Sequence, residues 1–258
     1  MALRAFPAIA LALVLLAGPR LLAAGEAPDP ARRLLETLAI RRPDGPGPFP
    51  AIMMVPGCSG MSKTENAGHY RELGERLGAM GYLVAPVDYV GARQLTQACG
   101  SFVTPDDIAK DIIAVADRLR ALASVDRARI DVIGESLGGG GVLAALGRPG
   151  SDARPPFRRA VVFYPVCRGV APPRGGSEIL MLFGALDAMT PAESCQEIVR
   201  RFPNASGVHV RVFPDARHGF NHAHLPQTPP AGKPSWTPAY NPAATQAAWE
   251  EMVGFLRR

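Results

Sequence analysis

Short, continuous apolar runs alternate with amphipathic segments along most of this chain. Several runs are rich in β-branched residues, which is typical of strands that are buried on both faces of a parallel sheet. Strands are predicted at 51–55, 82–89, 130–133, 159–164, 178–183 and 208–213, with an edge strand at 32–41. Helices are predicted at 67–80, 105–123, 191–202 and 245–258, with a further small-residue helix after Ser136. This alternation predicts an α/β fold, in which helices cover both faces of a mostly parallel sheet.

The first 25 residues have the plan of a secretory signal peptide. A basic start at Arg4 is followed by an unbroken apolar run and then by small residues. Pro19 and Arg20 interrupt the segment where a membrane span would continue, so an uncleaved anchor is the weaker alternative. We therefore expect export to the periplasm or the medium, no stable membrane insertion after cleavage, and one domain over residues 26–258.

Composition and charge narrow the class of protein. The chain has 258 residues, of which 47% are hydrophobic and 20% charged, as in soluble globular proteins with a sizeable core. The formal net charge is +5, but the arginines that carry it are scattered and do not form a stripe. A nucleic-acid surface needs clustered basic residues, so no nucleic-acid partner is expected.

The predicted export bears on the redox state of the four cysteines. An even number of cysteines in an exported chain favours disulfides, and four cysteines allow three connectivities. Of these we favour Cys58–Cys99 with Cys167–Cys195, because each pair would lie on neighbouring loops of the predicted fold. No Cys-x-x-Cys or histidine-rich spacing is present in the sequence, so a metal site is not expected.

The strongest indication of chemistry lies around Ser136. Gly134, Ser136 and Gly138 match the pattern Gly-x-Ser-x-Gly between a predicted strand and a predicted helix. In that setting the pattern forms a nucleophile elbow, a sharp turn that exposes the serine hydroxyl and leaves room only for glycine at the flanking positions. We predict that Ser136 is a nucleophile that cleaves or transfers acyl groups, with an ordinary turn serine as the alternative.

Two residues are placed to complete a triad with Ser136. A serine hydroxyl needs a histidine to take its proton and a carboxylate to orient that histidine. Asp187 follows the strand at 178–183 and His218 follows the strand at 208–213, at the sheet edge where ligands of parallel sheets bind. The chain order serine, aspartate, histidine is that of the α/β-hydrolase fold. Alternatives for the base are His222 and His224, alternatives for the acid are Asp215 and Asp88, and His69 and His209 are expected to be packed or exposed.

Catalysis by such a triad also needs an oxyanion hole with two donors. One donor is predicted to be the backbone N–H of Leu137, directly after the nucleophile. The other is predicted to be the backbone N–H of Cys58, in the glycine-containing loop that follows the strand at 51–55. A simple glycine turn is the alternative interpretation of that loop.

Two further motifs give the chain a family resemblance. They are Gly-Ala-Leu-Asp-x-x-Thr-Pro at 184–191 and Phe-Pro-x-Ala-x-His-Gly-Phe at 213–220. Together with the elbow, they resemble the dienelactone hydrolase family of α/β-hydrolases from about Ala51 to the C-terminus. The resemblance implies an α/β-hydrolase fold without a large lid domain, a small-molecule ester or lactone as substrate, and no cofactor.

The chain departs from that family at the nucleophile. Dienelactone hydrolases proper have a cysteine in the elbow and a nearby glutamate that restrains it, whereas position 136 is serine and the loop 56–60 has no glutamate. We therefore expect a serine hydrolase that cleaves carboxylic esters or lactones through an acyl-enzyme intermediate. The alternatives are an exported peptidase or amidase of the same fold and a non-catalytic binding protein.

Overall fold

Six parallel strands form the sheet at the centre of the structure. The computed structural model describes residues 29–151, 153–201 and 207–258, so the predicted signal peptide lies outside the described residues. The order of the strands is β2-β1-β3-β4-β5-β6, and all five neighbouring pairs are parallel. The strands are β1 (Phe49–Val55), β2 (Leu83–Pro86), β3 (Val125–Glu135), β4 (Arg159–Phe163), β5 (Glu178–Gly184) and β6 (Val208–Phe213). The predicted α/β-hydrolase fold is confirmed.

Helices connect most of these strands. They are α1 (Pro30–Glu36), α2 (Thr64–Ala79), α3 (Tyr89–Ala92), α4 (Pro105–Arg120), α5 (Ser136–Gly147), α6 (Gln196–Arg201) and α7 (Pro242–Arg257). A short 3-10 helix, Ala192–Cys195, leads into α6. Within the described residues, no helix combines the length and the apolar character that a membrane crossing requires.

The sheet has a hydrophobic core on each face. One core joins alternate side chains such as Met53 to α1, α4 and α5, while the other joins Ile52 and Met54 to α2 and α7. Full burial of an aliphatic side chain of this size stabilises the fold by about 1.5–3 kcal/mol. Burial on both faces explains why these strands have continuous apolar sequences instead of an alternating pattern.

Helix α5 is rich in glycine because it packs very close to its neighbours. Residues 138–141 are four consecutive glycines, and all four are buried. A Cβ atom at Gly139 would lie 3.0 Å from Cβ of Pro165, and one at Gly140 would lie 2.7 Å from the carbonyl oxygen of Val166. Larger residues at these positions would push the helix away from the loop that follows β4.

The predicted edge strand at 32–41 is wrong, because its first half, residues 32–36, lies in α1. Asp29 caps the helix by accepting a hydrogen bond from the N–H of Ala31, and Pro30 occupies the first position, where its fixed φ suits a helix. Leu34 is buried on the inward face of the helix. The only strand-like pairing in the segment is an isolated antiparallel bridge between Arg41 and Val84.

Other predicted elements differ from the structure at their ends. The predicted strand at 82–89 ends at Pro86, which has no N–H to donate to a ladder, and the side chain of Asp88 then caps α3 through the N–H of Gly91. The last helix begins at Pro242, earlier than predicted, because the side chain of Asn241 caps it. Such caps fix the ends of helices more strongly than the apolar pattern does.

Candidate active site

Ser136 lies at a sharp turn between β3 and α5. Its φ is +50°, in the left-handed region that side-chain-bearing residues rarely adopt. A Cβ atom at Gly134 would lie 2.8 Å from Cγ2 of Val142, and one at Gly138 would lie 2.8 Å from the carbonyl oxygen of Val55. The turn is therefore possible only with glycine at these two positions, as a nucleophile elbow requires.

A continuous line of hydrogen bonds joins Ser136, His218 and Asp187. The Oγ atom of Ser136 lies 3.0 Å from Nε2 of His218, and Nδ1 of His218 lies 2.8 Å from Oδ2 of Asp187. Asp187 follows β5 and His218 follows β6, so the three side chains meet at the carboxyl edge of the sheet. Because a carboxylate can only accept, Nδ1 of neutral His218 carries the proton, and Nε2 is left to accept from the serine hydroxyl.

Asp187 is held as a carboxylate. Its Oδ1 atom accepts from the backbone N–H groups of Met189 and Thr190 at 2.8 and 3.0 Å, and the hydroxyl of Thr190 lies 2.9 Å from Oδ2. Burial by itself would raise the pKa of Asp187, but the hydrogen bond and charge of His218 and the two backbone donors lower that pKa below its ordinary value. The ionised carboxylate is thus available to orient His218.

The alternative acids and bases lie elsewhere. Asp215 is exposed and Asp88 caps α3, while His224 is exposed on the loop after β6. His222 and His69 both turn towards Glu135 instead of Ser136. The geometry therefore brings together Ser136, His218 and Asp187 and none of these alternatives.

Tyr164 supports the imidazole of His218 from the end of β4. The two ring centroids are 4.5 Å apart, and the φ of Tyr164 is +38°, a strained backbone conformation for a tyrosine. Its carbonyl oxygen accepts a hydrogen bond from the hydroxyl of Thr190, and its own hydroxyl donates to Oδ1 of Asn221 at 2.5 Å. These bonds fix the ring against one side of His218.

The loop after β1 lies against Ser136. A Cβ atom at Gly57 would lie 3.5 Å from Cβ of Ser136. The N–H of Gly57 donates to the hydroxyl of Tyr70 at 3.1 Å, and the carbonyl oxygen of Gly57 accepts from the hydroxyl of Tyr89 at 3.1 Å. Both peptide groups of Gly57 are therefore fixed, including the planar peptide that carries the N–H of Cys58.

Two disulfides hold loops at the same edge of the sheet. Cys58 is bonded to Cys99, which ties the loop after β1 to the segment between α3 and α4. Cys167 is bonded to Cys195, which ties the segment after β4 to the 3-10 helix. These two bonds are compatible with an exported protein.

A buried glutamate lies directly before Ser136 in the chain. The side chain of Glu135 is 2% exposed and faces two histidines, His69 and His222. The potential ligand atoms of these three residues lie within 4.8 Å of one another, a spacing that also suits a metal ion. However, each Nε2 lies at hydrogen-bonding distance from its own carboxylate oxygen, 2.9 Å for His69 and 3.0 Å for His222. The two rings stack with their centroids 3.9 Å apart and their planes at 22°. This geometry fits a hydrogen-bonded cluster.

Sequence comparison identifies the family of the chain. The model of the dienelactone hydrolase family matches residues 36–258, which include the elbow, Asp187 and His218. The chain belongs to the dienelactone hydrolase family. A search of curated proteins found no match.

Solved structures share the fold of this dienelactone hydrolase family member. A protein from Klebsiella pneumoniae, provisionally named a dienelactone hydrolase, is 20% identical, with a TM-score of 0.62 over 86% of this chain and 92% of that one. Esterase 2 from Thermogutta terrifontis, phosphoramylated by tabun, is 20% identical, with a TM-score of 0.60 over 85% and 88%. A propionate-bound structure of the same esterase is 21% identical, with a TM-score of 0.58 over 85% and 88%. At such low identity these likenesses show the α/β fold.

Sequence reasoning missed the residues that surround the triad in this family member. Glu135, Tyr70 and Tyr164 were not predicted to have a role near the site, and His69 was expected to be an ordinary packed or exposed histidine. One signal was present: Glu135 is a charged residue that directly follows the run Val132-Ile133-Gly134, where a buried carboxylate needs several donors. The loop 56–60 has no glutamate, but the structure places this glutamate near the nucleophile from the elbow itself.

Proposed function

We propose that the protein is a serine hydrolase that cleaves carboxylic esters or lactones through an acyl-enzyme intermediate. The observation that carries this proposal is the hydrogen-bonded line from the Oγ atom of Ser136 through His218 to Asp187, built at a strained elbow. Membership of the dienelactone hydrolase family supports hydrolysis of an ester or a lactone.

The first half of the reaction forms the acyl-enzyme. The Oγ atom of Ser136 attacks the carbonyl carbon of the substrate while Nε2 of His218 takes the hydroxyl proton. Asp187 stabilises the imidazolium that results. When the tetrahedral intermediate collapses, the bond to the alcohol oxygen breaks and His218 gives its proton to that oxygen. For a lactone, the alcohol stays attached to the acyl group.

The second half releases the acid. A water molecule gives its proton to Nε2 of His218 and attacks the acyl carbon, and the bond to the Oγ atom of Ser136 then breaks as the serine recovers the proton. The oxyanion of both steps is assigned to the backbone N–H groups of Leu137 and Cys58. Leu137 lies in the first turn of α5, where N–H groups have no acceptor within the helix. The fixed peptides of Gly57 support the assignment of Cys58.

We further propose that residues 1–25 are a signal peptide and that residues 26–258 form a single domain, which acts in the periplasm or outside the cell on small-molecule substrates. The two disulfides, Cys58–Cys99 and Cys167–Cys195, support this location because such bonds persist in oxidising compartments.

A fluorophosphonate probe tests the nucleophile. Such probes form a covalent bond with an activated serine, so we expect wild-type protein to be labelled and Ser136→Ala not to be. Ser59→Ala is the matched control, because Ser59 lies in the loop next to the site but contacts Cys99 and not His218. Mass spectrometry of the labelled peptide should locate the adduct on Ser136. An adduct on another residue would refute the assignment, and an unreactive wild type would favour a binding protein.

The substrate class needs a second measurement. We expect turnover of nitrophenyl esters and simple lactones by the wild type and loss of that turnover in Ser136→Ala. Turnover of acyl-aminoanilides without turnover of esters would instead indicate a peptidase or amidase.

A further inference from the structure

The carboxylate of Glu135 receives four hydrogen bonds although it is almost completely buried. Oε1 accepts from Nε2 of His69 at 2.9 Å and from Nδ2 of Asn221 at 2.7 Å. Oε2 accepts from the hydroxyl of Tyr70 at 2.6 Å and from Nε2 of His222 at 3.0 Å. A carboxylate has about four acceptor positions, so this one is fully used.

These donors come from two separate parts of the chain. His69 and Tyr70 belong to α2, whereas Asn221 and His222 belong to the loop that carries His218. Glu135 itself is the residue before Ser136. One carboxylate therefore connects the nucleophile elbow to the loop of the predicted base.

The same carboxylate is also linked to the loop after β1, residues 56–60, which carries the proposed oxyanion donor Cys58 and is called the oxyanion loop below. The hydroxyl of Tyr70 donates to Glu135 and accepts from the N–H of Gly57 at 3.1 Å. Because this hydroxyl has only one proton, its donation to Glu135 leaves its lone pairs for Gly57. The orientation of the Pro56–Gly57 peptide, which directly precedes the peptide that carries the N–H of Cys58, therefore depends on Glu135 through the hydroxyl of Tyr70.

A further link returns to His218. The amide of Asn221 donates to Glu135 and accepts from the hydroxyl of Tyr164, whose ring packs on His218. An amide has distinct donor and acceptor ends, so an acceptor at position 135 and a donor at position 164 together fix how Asn221 is turned.

Glu135 and the two histidines shift one another's pKa values. Burial by itself would raise the pKa of Glu135, but the charges and hydrogen bonds of His69 and His222 lower it well below its ordinary value. Burial opposes protonation of His69, yet the charge and hydrogen bond of Glu135 prevail and raise the pKa of His69. Burial lowers the pKa of His222, and the stacked His69 contributes to that shift. The ionised form of Glu135 is thus favoured, protonation of His69 is easier than for an ordinary histidine, and protonation of His222 is harder.

We propose that Glu135 is a positioning residue, whose single buried carboxylate fixes the positions of the nucleophile elbow, the His218 loop and the oxyanion loop relative to one another. This inference rests on the proposed function, because the three segments matter together only if Ser136 is a nucleophile. Glu135 acts through Tyr70, Asn221 and His222 and does not itself exchange a proton with the substrate.

Replacement of Glu135 by glutamine tests the proposal. The amide of Glu135→Gln keeps the shape but can accept fewer hydrogen bonds and leaves His69 without a counter-charge. A misplacement of about 1 Å costs about 100-fold in rate. We therefore expect kcat and the rate constant of fluorophosphonate labelling at Ser136 to fall about 10- to 100-fold, while KM changes by less than about threefold.

Asp131→Asn is the matched control. Asp131 is also a fully buried carboxylate of β3, four residues before Glu135, and it accepts from Arg158 and Tyr82 and from none of the donors to Glu135. We expect this variant to lose stability and to keep wild-type kcat and labelling rate. An equal loss of labelling rate in both variants would mean that the loss of any buried charge from the sheet slows labelling. The positioning role of Glu135 would then be refuted.

A second pair of variants serves if Glu135→Gln does not fold. Tyr70→Phe removes only the hydroxyl that bonds to Glu135 and Gly57 and keeps the bond from His69, and Tyr82→Phe removes the hydroxyl that donates to Asp131. We expect labelling to slow about tenfold in Tyr70→Phe and to stay unchanged in Tyr82→Phe. A wild-type labelling rate in Tyr70→Phe would overturn the proposal.

The two possible failures give different results. If wild-type protein is labelled at Ser136 and Glu135→Gln is labelled equally fast, the positioning role is wrong and the hydrolase proposal stands. If the wild type is not labelled at Ser136, the hydrolase proposal itself fails.

Discussion

Replacement of Asp187 by asparagine should disable the site while leaving its shape intact. In the wild type, Oδ1 of Asp187 accepts from two backbone N–H groups and Oδ2 faces Nδ1 of His218. An asparagine has one oxygen and one NH₂ group, and the NH₂ group cannot face the two backbone donors. It must therefore take the position of Oδ2, where it donates to Nδ1 of His218.

This exchange changes which ring nitrogen of His218 carries the proton. With Nδ1 as acceptor, the proton of the neutral ring moves to Nε2, which then cannot accept from the Oγ atom of Ser136 at 3.0 Å. In a serine hydrolase this wrong tautomer costs roughly 10⁴-fold in kcat. That factor corresponds to about 5.5 kcal/mol of transition-state stabilisation. We expect this loss in Asp187→Asn, with KM nearly unchanged.

Steady-state kinetics with a nitrophenyl ester measure both constants. The matched control is Asp215→Asn, because Asp215 is exposed and lies three residues before His218. It should retain wild-type kcat, and circular dichroism should show that both variants are folded. If Asp187→Asn kept kcat within about tenfold of the wild type, Asp187 would not set the tautomer, and the triad would be wrong in its third member.

Two further predictions concern stability. Removal of the Cys58–Cys99 disulfide by the double change to alanine should lower the free energy of unfolding by about 4 kcal/mol, since the bond closes a loop of 41 residues. Urea unfolding measures this free energy. A loss below about 1 kcal/mol would contradict the prediction. The stability gap between wild type and Glu135→Gln should depend on pH. The lowered pKa of Glu135 makes its contribution present above about pH 4.5 and lost as the pH falls, while the raised pKa of His69 makes its contribution present below about pH 6.5 and lost as the pH rises through that raised value. Unfolding at several pH values should therefore show the widest stability gap between about pH 4.5 and 6.5. The other titratable groups near the cluster are His222, His224, Tyr70 and Glu72. A gap that is constant with pH would refute the directions assigned to the pKa shifts of Glu135 and His69.

Much of the fold could be predicted because burial on both faces leaves a clear apolar pattern. The run at 51–55 and the strand at 178–183 correspond closely to β1 and β5. The structure of the segment 32–41 could not be predicted from its apolar pattern. A seven-residue helix makes only about two turns, which are too few to distinguish a helical period of 3.6 residues from the alternating pattern of a strand. Its capping residue, Asp29, lies just outside the segment that the pattern covers.

The candidate site was predictable only where local sequence fixes geometry. Gly134 and Gly138 point to an elbow, and the ends of parallel strands bring Asp187 and His218 to Ser136; their catalytic roles stay predictions. The cluster around Glu135 depends on where α2 and the loop after His218 pack, which is tertiary information. No spacing along the chain reveals that residues 66 and 87 positions away donate to the same carboxylate.

The glycine-rich start of α5 links reactivity to folding. Each glycine inside a helix disfavours it by about 1 kcal/mol relative to alanine, so the four at 138–141 would prevent this segment from being helical as a free peptide. The helix forms in the folded protein because it packs closely against the loop after β4 and against Ile108 of α4, where only the hydrogen atom of a glycine fits. In a nascent or unfolded chain Ser136 is consequently an unremarkable, inert alcohol. We therefore expect fluorophosphonate labelling to report the fraction of native molecules in a preparation.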